Sequence, residues 1–343
     1  MVLSRHKINR KWLFALIATV LAVLIFFASA ATALTLKAVR EDTVVYVDGQ
    51  SVSEVVDSLS AAGVVGYGNT LKFAAKLLRI SGFRPGRYAI NTSMSSRQLL
   101  AMLKSGSQTP MNLTFNNIRT LPQLAGVVGR QLRADSVEFV EVLLNDSLAA
   151  GFGFRPETFI GMFIPDTYEV YWTMTPEAFA ERMHREYERF WNDDRRARLT
   201  RTGLSETEVA TLASIIDEET VKTDEMPRIA GVYINRLRHG ILLQADPTVK
   251  YAVGDFTLRR VLNRHLATDS PYNTYMYRGL PPGPIRMPSK AALNAVLNYE
   301  EHDYYYFCAR EDFSGYHAFA RTLTEHSRNA RRYSAALDRL GIR

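Results

Sequence analysis

The chain has 343 residues, 47% of them hydrophobic and 22% charged, which is apolar material enough for one large domain or two modest ones. Ordinary proline and glycine contents exclude collagen-like and disordered chains, and a single cysteine, Cys308, excludes an internal disulfide framework or a cysteine-rich zinc or iron–sulfur site. The net charge of +7 comes from 42 basic and 35 acidic residues, but Arg5, Lys7, Arg10 and Lys11 precede residue 12 with no acid among them; the remainder stands at 38 against 35, or +3, which offers no bulk surface for nucleic acid.

Residues 12–36, from Trp12 to Leu36, carry no charge. As a helix they reach roughly 37 Å, more than the ~30 Å hydrocarbon slab, and they are apolar on every face, unlike a core helix. The basic cluster before them predicts a cytoplasmic tail over 1–11, one membrane-spanning helix in the cytoplasmic (inner) membrane, and export of everything beyond Lys37. The competing reading is a cleaved signal peptide, since Ala28 to Ala33 is rich in small residues; against it, the run exceeds the usual ~7–15-residue signal core.

After the anchor, TVVYV (43–47) has strand composition. Val52, Val55, Val56 and Leu59 keep helical spacing until Gly63, and a second helical pattern covers 70–82. Pro85-Gly86 turns into a short strand, SSRQLLAMLKSG reads as a capped helix, and LTFNNIRTLPQLAGVV repeats the strand-then-helix order. Units of this size bind glycans or peptides, or serve as spacers. A composition change at SGSQTP (105–110) predicts a boundary, and Pro176 to Leu199 reads as one helix with a solvated charged face.

The segment from Ser205 to His326 carries the chemistry. Ser205 and Glu208 form a capping-box pattern, and Val209, Leu212, Ala213 and Ile216 make an apolar stripe. Of the three acids that follow, Glu218 points opposite the stripe at about 100° per residue, Asp217 stands to its side, and Glu219 returns toward the stripe. A carboxyl on the buried edge of a helix is costly to ionise, so its pKa rises to where a general acid works. On geometry alone the plainer alternative stays open, that Glu219 caps a frayed end or pairs with Lys222. Next come the helical PRIAGVYINRLRHG, then ILLQADPTVKYAVG and a tyrosine-rich turn before GLPPGPI, whose aromatic faces, amides and hydroxyls suit sugar rings or simple packing. DYYYFCA follows as a strand. No H-E-x-x-H, G-x-S-x-G or P-loop string is present, and GVVGYG (63–68) lacks the rest of a nucleotide-binding signature.

Several strings together resemble the MltG-type (YceG-like) endolytic murein transglycosylases: FRPGRY with SSRQLLAMLKSG, FIPDTYEV, ASIIDEET, GVYINRL, LLQADPTVKYAVG, SPYNTYMYRGLPPGPI and GYHAFARTLTEH, in that order over residues 83–326. The resemblance implies an α+β fold with a single N-terminal transmembrane helix, a small LysM-like module over 37–108 and a larger catalytic domain over 109–343. It places the catalytic acid at the second glutamate of E-x-E-T, here Glu219, with Asp217 at the first position. The helical-wheel argument selects the same residue. Two departures stand out: Ile160-Gly161 replaces a usual Glu-Gly pair before the F-x-PDTY segment, and Ile285-Arg286-Met287-Pro288-Ser289 replaces the usual I-x-N-P-G.

An ordinary glycosidase needs two flanking carboxylates, whereas one suffices when the C6 hydroxyl of N-acetylmuramic acid attacks C1 of its own sugar. The resemblance therefore implies cleavage of nascent glycan within the strand to 1,6-anhydro-muramoyl ends, with no metal or cofactor, near peptidoglycan synthases as partners. Gln244, Asp246, Thr248, Asn273 and Tyr275 are the candidates for holding the sugar. His317 is either a binding residue or a hydrogen-bonded structural one. Asp246 as a second carboxylate would instead make a muramidase, and a non-catalytic peptidoglycan-binding scaffold is a further alternative.

Overall fold

The computed structural model describes residues 10–258 and 260–341. Arg5, Lys7 and most of the expected 1–11 tail lie outside the described residues. The chain is mixed α+β and divides into two units, one running up to Met111 with Glu169–Thr173 added, the other made of Asn112–Tyr168 and the chain from Met174 onward.

The first unit opens with α1 (Arg10–Thr35), which is long and apolar enough to cross a membrane. Nearly all of it is exposed; only Ala30 and Ala33 are buried, near its end, where it meets the two helices α3 (Gly68–Leu77) and α4 (Ser96–Ser105). Thr19, Thr32 and Thr35 each return their hydroxyl to the carbonyl four residues back, at 2.8–2.9 Å, so these polar groups are satisfied within the helix. Strand β1 (Thr43–Val47) pairs antiparallel with β2 (Gly86–Ile90) in the register Thr43↔Ile90 to Val47↔Gly86. Alternation sends Val45, Val47, Tyr88 and Ile90 inward and leaves Val44 and Tyr46 outside. Between the strands, α2 (Val52–Ala61) precedes α3; capping boxes on Ser51 with Glu54 and Ser95 with Gln98 fix the starts of α2 and α4.

The second unit holds most of β3 (Met111–Phe115) and of β4 (Asp166–Val170), which pair. The chain between them forms α5 (Leu121–Gly129), α6 (Ser136–Leu143), α7 (Asp146–Gly151), α8 (Pro156–Phe159) and a 3-10 turn at Ile160–Met162. Phe115, Phe139, Phe159, Phe163 and Phe179 join edge to face and stacked into one aromatic core. Ile160, where the resemblance expected an acid, is only 6% exposed. The single helix expected over 176–199 is two, α9 (Pro176–Phe190) and α10 (Asp193–Thr202). The break is local chemistry: Trp191 turns into the core, and the Asn192 side chain accepts from the Arg195 amide at 3.0 Å, opening a new helix.

Helix α11 (Glu206–Glu219) is the centre of this unit, buried all round from Val209 to Ile216. It packs against α12 (Met226–Arg238), α13 (Asp246–Val253) and α15 (Lys290–Leu297), with the short α14 (Asn263–Leu266) against α13. The hairpin β5 (Tyr306–Ala309) and β6 (His317–Ala320) and helix α16 (Leu323–Arg339) close one side. Gly231 lets α12 run against the chain at Glu300: a Cβ there would sit 2.2 Å from the Glu300 carbonyl oxygen.

Candidate active site

The Ser205–Glu208 capping box sets the phase of α11, and Glu219 is its last helical residue, with Thr220 already extended. The end of the helix opens on a cavity of about 470 Å³ lined by Glu219, Tyr233, Arg236, Gln244, Asp246 and Tyr275, and across from them by β5, His317 and His326. Glu219 is partly buried, with its carboxyl crowded by protein. Desolvation is the chief reason its pKa is pushed up from 4.5 to about 7. The Tyr233 hydroxyl donates to Oε1 at 2.7 Å and opposes that rise; Asp246 adds to it and Lys250 subtracts. A carboxyl raised to this range can both give and take a proton near neutrality. Tyr233 is itself buried beside this carboxyl, which raises its own pKa well above the ordinary value and keeps it a donor.

Asp246 begins α13 and accepts from the Tyr275 hydroxyl at 2.6 Å, so both polar groups reach the cavity as a pair. Gln244 is held at φ +51°, in the left-handed region, while its amide donates to the Thr274 carbonyl at 3.1 Å and its side-chain oxygen accepts from Arg236 at 3.3 Å. Gln244 thus lines the cavity in a left-handed conformation that non-glycine residues seldom adopt. His317 lines the cavity with Nδ1 2.7 Å from the buried Glu225 carboxylate, which also accepts from the His317 amide at 2.9 Å. It is therefore both anchored and facing the site.

Two of the expected sugar ligands, Thr248 and Asn273, lie apart from the cavity wall. Thr248 is fully buried: its hydroxyl donates to the Ala245 carbonyl at 2.7 Å and sits 2.8 Å from the Thr274 hydroxyl. Asn273, equally buried, donates to the Leu266 and Thr268 carbonyls at 2.9 and 2.8 Å and accepts from the Tyr275 amide. Both brace the loops that present Asp246 and Tyr275, and neither lines the cavity.

Glu218 is also not the free surface acid that its place opposite the stripe suggested. The Arg119 guanidinium donates to both its oxygens at 2.8 and 2.9 Å, and Arg286 donates at 2.8 Å, in a part-buried cluster. Asp217 accepts from the Ser289 amide at 2.6 Å and its hydroxyl at 2.7 Å; Ser289 is the N-cap of α15. Burial still holds the Asp217 pKa above its ordinary value. The two acids before Glu219 thus clamp the segment in which the sequence departs from the usual I-x-N-P-G. Glu218→Gln is expected to destabilise the fold by about 1–3 kcal/mol, because two guanidiniums lose their counter-charge, with turnover within about threefold of the parent, the range of a residue off the reaction path. Asp217→Asn should cost about 1 kcal/mol and lower turnover, since the last turn of α11 loses its brace. Paired thermal melts and rates check both.

Reading the sequence missed Tyr233, Arg236 and His326. The signal for the first two was present: three residues apart in GVYINRL, they share one face of α12. Among the described residues no group of three or more His, Cys, Asp or Glu side chains is placed to hold a metal ion.

A family model described as the YceG-like family matches residues 44–332. The endolytic murein transglycosylase of Bacillus subtilis (strain 168) is 28% identical over 306 residues, covering 83% of this chain and 82% of that protein. The endolytic murein transglycosylase of Streptococcus pneumoniae (strain D39) is 29% identical over 316 residues, 82% of this chain but 56% of the longer relative. The crystal structure of a YceG-like protein from Listeria monocytogenes superposes with a TM-score of 0.55 at 27% identity, covering 84% of this chain and 99% of that one. With most of its length matched from strand β1 to helix α16, the chain belongs to the YceG-like family.

Proposed function

We propose that this protein is an endolytic peptidoglycan lytic transglycosylase that cleaves between N-acetylmuramic acid and N-acetylglucosamine. The observation that carries the reading is the Glu219 carboxyl, its pKa pushed up to about 7, held by a tyrosine hydroxyl inside a polar cavity. Protonated Glu219 gives its proton to the glycosidic oxygen as the C1–O bond breaks. The C6 hydroxyl oxygen of the same muramoyl unit bonds to C1, and its proton returns to Glu219. The net change is one 1,6-anhydro end and one free leaving hydroxyl, with no water consumed. Gln244, Asp246, Tyr275 and His317 hold the sugar. The names of the relatives support the substrate class.

In this reading residues 1–11 are a cytoplasmic tail, 12–36 a single-pass anchor in the inner membrane, 37–108 a LysM-like module and 109–343 the catalytic domain outside the cytoplasm. A tethered site meets strands close to where they are polymerised, beside the synthases, and cutting there ends elongation. The test is release of soluble fragments from purified sacculi: the parent protein should release them and Glu219→Gln should not, whereas a binding scaffold releases none in either form. Asp246, in the same cavity as Glu219, favours a second reading in which it activates water as a muramidase does.

A further inference from the structure

Besides Glu219, the cavity wall holds a guanidinium, Arg236, and an imidazole, His326. Arg236 is 7% exposed and belongs to no ion pair among the described residues. Its Nε donates to the Tyr305 carbonyl at 2.6 Å, and Nη1 to the Leu242 and Leu243 carbonyls at 2.9 and 3.0 Å and to Gln244. Nη2 makes no hydrogen bond to the protein among the described residues, although Arg236 lines the cavity. The guanidinium lies 5.0 Å over the Tyr306 ring, and the His326 imidazole stacks on the same ring at 5.4 Å. Neither imidazole nitrogen has a protein partner among the described residues, Nδ1 being buried without one. A buried polar atom without a partner, such as His326 Nδ1, is rare, and a guanidinium edge left open on a cavity is well suited to a carboxylate. The acids that line the cavity are committed elsewhere, Glu219 to Tyr233 and Asp246 to Tyr275, and Glu225, outside the lining, is bound to His317.

We propose that Arg236 Nη2 and His326, both packed on Tyr306 in one cavity wall, form a seat for a substrate carboxylate, so that this enzyme selects strands by the acid on a muramoyl residue as well as by its sugars. The inference rests on the glycan-cleaving reading above. Two sources carry the right chemistry: the lactyl carboxylate of a peptide-free muramoyl unit, and the carboxylates of an attached stem peptide. In both, the anion supplies the acceptor that Arg236 and His326 lack. Burial and the neighbouring guanidinium hold the His326 pKa below its ordinary value in the free protein, so an anion seated between them raises it.

The experiment uses the full chain in detergent micelles with Glu219→Gln to prevent turnover. Four glycan oligomers of equal length are titrated calorimetrically: peptide-free muramoyl glycan, its lactyl methylamide, stem-bearing glycan, and the same with its stem carboxylates amidated. At least tenfold tighter binding of an acid over its own amide is expected. The pair that shows the gap identifies the source. The His326 imidazole, followed by NMR, should titrate at higher pH with the acid bound and be unmoved by the amide. Arg236→Gln should abolish the gap. Because Arg236 also clasps three carbonyls, His326→Phe, which keeps the stack on Tyr306, provides the independent check and should shrink the gap at least threefold. Equal binding of acids and amides with an unmoved His326 overturns the seat and leaves the glycan reading intact. Failure of all four oligomers to bind overturns both.

Discussion

Glu219→Gln is expected to lower turnover by about 10²–10⁴-fold, the range for losing a general acid, and at the same time to make the folded protein more stable above neutral pH. The sign follows from the raised pKa. The unfolded chain releases this proton near 4.5 and the folded protein near 7. Between those values the folded state binds more protons, so stability falls as pH rises through that window and levels off above it. The loss is about 3 kcal/mol at pH 8, since each tenfold difference in proton affinity between the two states is worth about 1.36 kcal/mol, and glutamine does not suffer it. Asp217, also raised, contributes in the same direction but equally to both proteins. Melts at pH 4.5 and pH 8 check this: the variant should gain several degrees at pH 8 and little at pH 4.5. An inactive variant with no pH-dependent gain would show that Glu219 is not desolvated in solution.

The pH profile carries the second large effect. Because the acid must enter the reaction protonated, kcat/KM should fall above about pH 7, tenfold per pH unit once Glu219 is ionised. Tyr233→Phe removes the hydrogen bond that favours the charged form, so the falling limb should move to higher pH, although the rate below it drops as the carboxyl loses its orientation. Asp246→Asn removes a neighbouring negative charge that raises the Glu219 pKa, so the limb should move to lower pH. Opposite displacements by two substitutions in one cavity are hard to produce by general damage. A limb that stays in place in both variants would mean that some other group titrates.

Much of this site was legible from residue pattern. The Ser205 cap and the apolar stripe fixed the phase of α11, and phase alone put Glu219 rather than Glu218 at the protein edge. What the pattern could not show is how loops cover a helix. Glu218 stands opposite the stripe as expected, yet Arg119 and Arg286 arrive from segments about 99 and 68 residues away to enclose it. The same limit explains Thr248 and Asn273: residues of sugar-binding type, in strings of family type, whose hydrogen-bonding capacity is consumed by their own turns. The break at Trp191-Asn192 was readable in principle, since Asn followed by Asp-Asp is a helix start. The helical reading of 176–199 ran through it because the charge pattern continued. The packing of Arg236 and of His326 on Tyr306 joins elements about 70 and 20 residues apart, and no local spacing announces it.

The central claim is that Glu219 works alone and the sugar supplies its own nucleophile. Mass spectrometry of products from uncrosslinked glycan, digested in ¹⁸O-water, tests it most directly. New ends should be 1,6-anhydro-muramoyl, one water lighter than hydrolytic ends and free of label, in the parent protein and in whatever activity Asp246→Asn retains. Labelled reducing ends from the pure parent protein, lost on Asp246→Asn, would contradict the claim and make Asp246 the base that activates water.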